Sequence, residues 1–203
     1  DSGFDDAVWT GEVTKTPEGE AIKMTLHSPD GDQGFPGNLH VEVVYTLTDK
    51  NELIVDYHAV TDKATVINLS QHTYFNLAGQ AAGPILDQEL LINADRFTPV
   101  DANLIPTGEI RPVEGTSFDF RTPHAIGERI ANDEEQLILG KGYDHNFVLN
   151  KETAGELTLA ASAYDKTSGR FMEVFTTHPA IQFYTGNFLD GSQVGKGGAI
   201  YVY

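Results

Sequence analysis

His72 and Tyr74 stand two positions apart in the stretch Asn68-Leu69-Ser70-Gln71-His72-Thr73-Tyr74-Phe75-Asn76-Leu77-Ala78-Gly79, which follows the β-branched, apolar run Thr65, Val66, Ile67. In an extended chain, side chains at i and i+2 point the same way, so an imidazole and a phenol share one face while Phe75 and Leu77 back them from the other. An imidazole exchanges protons near neutral pH, which makes His72 a candidate acid or base. A lone His in a strand-rich chain also serves as a structural or surface residue, and spacing alone leaves both roles open.

Two further places combine polarity with apolar surroundings. Gly142-Tyr143-Asp144-His145-Asn146-Phe147 puts the carboxylate of Asp144 at the entrance of an apolar strand, where it can bind hydroxyls, tune a nearby imidazole, or simply form a turn. Ala180-Ile181-Gln182-Phe183-Tyr184-Thr185-Gly186-Asn187 sets one amide, Gln182, between large apolar residues and on the same strand face as Tyr184. A half-buried Gln either satisfies backbone groups or holds a ligand. Trp9 can stack on a ring-shaped ligand, though a single Trp in a strand reads better as core. Asn68-Leu69-Ser70 matches a glycosylation acceptor, but its place beside His72 argues against modification.

The elements that must hold these residues read as β-strands. Alternating polarity marks residues 7–13 and 22–26, and residues 28–37 are dense in turn formers. The clearest hairpin joins residues 39–48 to residues 52–61 through Asp49-Lys50-Asn51. A three-residue loop sets Leu47 opposite Leu53, Tyr45 opposite Val55, Val43 opposite Tyr57 and Val41 opposite Ala59 on an inward face. Glu42, His58, Asp56 and Thr46 fall on the wet face, so His58 opposite Glu42 reads as a cross-strand polar pair rather than a metal ligand. Strand patterns return at residues 86–94, 143–149, 157–164, 171–177 and 181–184, and residues 97–108 read as a long ordered connection.

One helix is expected from Thr122-Pro123 through Ile126 and Ile130, weakened by Gly127, with a second turn near residues 133–137. Gly195-Lys196-Gly197-Gly198 lacks the Lys-Ser/Thr and following helix of a phosphate loop. Many strands with almost no helix predict an all-β fold, an antiparallel β-sandwich.

Composition narrows the chemistry. The 203 residues suffice for one domain with its own core, and the absence of cysteine removes disulfides, thiolate metal sites and thiol catalysis. A formal net charge of -17 repels phosphate backbones and anionic lipid, which argues against nucleic acid and membrane partners. A neutral sugar meets little such penalty. No apolar run approaches the roughly 18 residues of a membrane helix. A cytoplasmic location is the expectation, with periplasm or secretion left open because Asp1 is not an initiator Met.

Taken in order, N-L-S-Q-H-T-Y-F-N-L-A-G, F-T-P-V-D-A-N-L-I-P-T-G-E-I, G-Y-D-H-N-F-V-L and I-Q-F-Y-T-G-N-F-L-D-G resemble the aldose 1-epimerase, or galactose mutarotase, family. The resemblance runs from about Phe4 to the last residue. It implies a large antiparallel β-sandwich of the galactose mutarotase type, present as a single domain over residues 1–203 but incomplete at both ends. It also implies interconversion of hexose anomers without metal or other cofactor, by a monomer or homodimer. By the same resemblance His72 corresponds to the family's general acid, and Tyr74, Asp144 and Gln182 to residues that hold the sugar.

An Asn-Arg pair and a second His that the family carries upstream, and a Glu base that it carries downstream, have no counterpart here. The polypeptide alone is therefore expected to show little mutarotase activity. A sugar-binding module lacking the base is the competing reading, and a glycoside hydrolase, which needs two flanking carboxylates, ranks below both.

Overall fold

In the computed structural model, which describes residues 3–202, the chain divides into two compact units, Asp1–Thr73 and Tyr74–Tyr203. The first unit is one antiparallel sheet of β1 (Thr10–Thr16), β2 (Gly19–Ser28), β3 (Leu39–Thr48) and β4 (Leu53–Thr61), in that order. The first two strands are displaced from, or longer than, their sequence-read spans. The β3–β4 hairpin has the expected register, with Leu47 opposite Leu53, Tyr45 opposite Val55, Val43 opposite Tyr57, Val41 opposite Ala59 and Glu42 opposite His58. Asn51 takes the left-handed conformation (φ 62°) that closes such a three-residue loop, and the Thr48 hydroxyl accepts the amides of Lys50 and Glu52.

Leu39, Val41 and Val43 form this unit's core with Leu26, Tyr45, Val55, Tyr57, Trp9 and Phe4. The Trp9 indole N–H donates to the Phe4 carbonyl at 2.8 Å, which fixes it as a packing residue. At the turn end the expected facing fails: Leu47 is 65% exposed, whereas Thr46 is 1% exposed. Periodicity defines which residues share a face, but not how much of that face is covered.

The second unit contains β5 (Glu89–Ile92), β6 (Arg96–Thr98), β7 (Arg111–Pro112), β8 (His124–Ala125), the helix α1 (Glu135–Gly140), β9 (Asp144–Val148), β10 (Thr158–Tyr164), β11 (Phe171–Thr176), β12 (Ala180–Tyr184), β13 (Asp190–Val194) and β14 (Ile200–Val202). They form antiparallel sheets in the orders β11-β10-β5-β8, β12-β9-β6-β7 and β13-β14. The all-β character read from the sequence holds. Aromatic rings fill the core: Phe97 stacks on Phe118 at 4.4 Å, and Tyr143 meets both Phe118 and Phe120 edge-on. Strand β11 borders its sheet with Phe171 and Phe175 exposed on either side of Glu173.

The helix expected at Thr122 does not form. Residues 124–125 make β8 and residues 126–128 a single 3-10 turn. The backbone donors of Ile126 and Gly127 go to Gln88 O (2.9 Å) and Leu86 O (2.7 Å), so they cannot serve a helix. A Cβ at Gly127 would approach the Leu86 side chain to 2.9 Å, so glycine permits this close pairing. The second expected turn becomes α1.

Candidate functional site

Strand β9 alternates buried and half-buried residues, sending His145 and Phe147 into the core and Asp144 and Asn146 outward. Its partner β12 sets Gln182 opposite Asn146 and Tyr184 opposite Asp144, so the outward face of this pair carries a carboxylate, two amides and a phenol. Gln182 Nε2 donates to Asp144 Oδ1 at 2.9 Å. The Tyr74 ring meets the Tyr184 ring edge-on at 5.5 Å, and Tyr184 Oη accepts the Phe188 amide at 3.1 Å. Partial burial, then Tyr184, then the charge of Asp144, push the Tyr74 phenol above its ordinary value. Tyr74 thus remains a protonated hydroxyl at neutral pH, able to donate and accept, while staying 55% exposed.

Three of the four residues singled out by sequence, Tyr74, Asp144 and Gln182, therefore come together in the second unit. His72 belongs to the first, exposed, two residues before Tyr74. The stretch around it is not the strand expected: residues 64–76 carry no ladder, and Phe75 is exposed rather than backing the imidazole. Side chains organise the following turn instead. Asn76 Oδ1 accepts Ala78 N–H (3.0 Å) and Gln88 Nε2 (2.8 Å), while its Nδ2 donates to Gly83 O.

Asp144 does neighbour an imidazole, that of His145, but this ring is structural. It is 1% exposed, its Nδ1 accepts the Asp144 amide at 3.1 Å, and the proton is thereby placed on Nε2, which donates to Gln136 Oε1 at 3.1 Å. Burial pushes His145 down to about 4, against smaller opposing pulls from Asp144 and Glu134. Asn146 and Tyr184 are the site residues that motif reading left unassigned. The two-residue period from Asp144 and Gln182 points to them.

On the wet face of the first unit a shallow groove is lined by His27, His40, Glu42 and His58, with the His27 and His40 rings stacked at 4.4 Å. Among the described residues no three His, Asp or Glu side chains converge on a point that a metal ion could occupy. Among the described residues no helix is long and apolar enough to cross a membrane.

The family profile described as Aldose 1-epimerase matches residues 2–202, and the chain belongs to that family. It is 48% identical over 199 residues to the galactose mutarotase of Homo sapiens, covering 98% of this chain and 55% of that protein. To the aldose 1-epimerase of Escherichia coli it is 40% identical over 190 residues, covering 94% and 53%. The crystal structure of galactose 1-epimerase from Lactobacillus acidophilus superposes with a TM-score of 0.82 at 34% identity, over 97% of this chain and 57% of that one. The chain spans about half the length of the relatives it matches.

Proposed function

We propose that this chain takes part in interconverting the α and β anomers of hexoses such as galactose and glucose. His72 is the general acid, and Tyr74, Asp144 and Gln182 hold the sugar. The observation that carries the reading is the Gln182–Asp144 hydrogen bond beside the Tyr74–Tyr184 pair, which groups three sugar-competent side chains from distant parts of the sequence. Carboxylate and amide offer acceptors and donors to adjacent hydroxyls, and the phenol supplies both a polar tip and an apolar ring.

Ring opening needs a proton delivered to the ring oxygen while another leaves the anomeric hydroxyl. Rotation about C1–C2 and the reverse transfers then close the other anomer. His72, as the acid, supplies the first proton, and the covalent chain keeps its Cα within about 7 Å of that of Tyr74. The base is a carboxylate from outside the β9–β12 pair, whose outward face carries only Asp144. We place the reaction in the cytoplasm, on a free hexose, in a monomer or homodimer.

Calorimetric titration with galactose tests the binding part. Wild type binds, and Asp144→Ala or Gln182→Ala weakens binding by about 10- to 100-fold; a wild-type chain that ignores galactose overturns the reading. Polarimetry of freshly dissolved α-D-galactose tests the chemistry. This polypeptide alone is expected to exchange anomers little faster than buffer, and a brisk decay of optical rotation that His72→Asn abolishes overturns that expectation and means that a carboxylate within it serves as base.

A further inference from the structure

We propose that Thr185 and Asn187 are positioning residues for Asp144, clamping the turn at residues 140–143 so that its carboxylate is held where Gln182 donates to it. This rests on the reading of Asp144 as a sugar ligand. The β9–β12 ladder ends at the Asp144–Tyr184 pair, so strand pairing alone does not fix the chain just before Asp144. That task falls to the residues following β12. Asn187 Nδ2 donates to Gly140 O at 2.7 Å and to Tyr143 O at 3.0 Å, supplying a partner to a carbonyl at the open C-terminal end of α1. The Thr185 amide donates to Tyr143 O at 3.1 Å, and the Thr185 hydroxyl accepts Tyr143 N–H at 3.2 Å while contacting Asn187 Oδ1.

The two segments approach so closely that only glycine fits between them. Gly142 has φ 134°, and a Cβ there would lie 2.5 Å from Asn187 Oδ1 and 3.0 Å from Thr185 Oγ1. Gly186, at φ 80°, folds the chain so that Asn187 turns back onto α1. Thus G-Y-D and T-G-N, more than forty residues apart, make one mechanical unit whose far end is the sugar-facing carboxylate. Asn187 reaches Asp144 only through backbone, which separates its role from that of a ligand-contacting group.

The experiment is a double-mutant cycle on galactose affinity, with thermal midpoints recorded for each variant. Asn187→Ala and Thr185→Val are expected to weaken galactose binding roughly tenfold, and Thr185→Ser to retain it. In an Asp144→Ala background, Asn187→Ala is expected to cost nothing further, because its effect passes through the missing carboxylate. Full additivity with Asp144→Ala, or wild-type affinity in both Asn187→Ala and Thr185→Val, overturns the proposal.

Amide hydrogen exchange separates failure of this proposal from failure of the sugar reading. If wild type does not bind galactose, faster exchange at Tyr143 and Asp144 in Asn187→Ala still supports the clamp. Unchanged protection there overturns it.

Discussion

Two histidine-bearing regions, the stretch around His72 and the β9–β12 strand pair, place the same side chain in opposite surroundings. His145 sits in strand β9 opposite Phe183 of β12, among Phe97 and Phe118, with both ring nitrogens engaged and its basicity suppressed by burial. His72 lies exposed on a segment without ladder partners. Burial removes His145 from proton exchange at neutral pH and makes it part of the frame that presents Asp144, whereas the His72 side chain faces solvent. Being a histidine inside a family motif thus says little by itself. What the ring's nitrogens touch, and how dry the surroundings are, decides the role.

The contrast can be broken most forcefully through packing. Phe118→Ala removes the ring that stacks on Phe97 and meets Tyr143 and His145, and is expected to cost about 3–5 kcal/mol in urea unfolding. Phe75→Ala, in the His72 region, is expected to shift the same midpoint far less, and equal losses would mean that the two regions are equally consolidated.

Acid gives the next largest effect. Because His145 titrates at about 4 when folded and at its ordinary 6.5 when unfolded, the unfolded chain alone takes up this proton as pH falls between those values. Stability from this group is therefore complete above pH 6.5 and declines towards pH 4 by about 3 kcal/mol, then levels. Asp119, held low by the Arg121 guanidinium, acts below that window. Urea midpoints at pH 7, 5 and 4 check this, and His145→Gln should flatten the decline. The smallest expected effect sharpens the comparison from the other side: His72→Gln, on the exposed stretch, shifts the urea midpoint at pH 7 less than His145→Gln does.

Much of this arrangement was legible in the chain. Alternation and a three-residue loop give the β3–β4 register residue for residue, since turn length and a two-residue period leave few alternatives. Tyr74, Asp144 and Gln182 were singled out by type and by resemblance, and they lie in one unit. Three things were hidden because they depend on partners distant in sequence. The Thr122 helix gave way to strand pairing with residues 86–88, Leu47 lost its cover, and Asn76 replaced a ladder with side-chain hydrogen bonds. The link from Asn187 to the turn before Asp144 carries no local signature, because neither segment reveals that the other lies within hydrogen-bonding reach.

Strand β11 leaves Phe171 and Phe175 bare along an open margin, with a single glutamate between them. Such a border invites a neighbouring molecule to add itself edge to edge. Glu173 sets a negative charge on that border, in a chain of formal net charge -17, and two copies brought edge to edge would set like charges against each other.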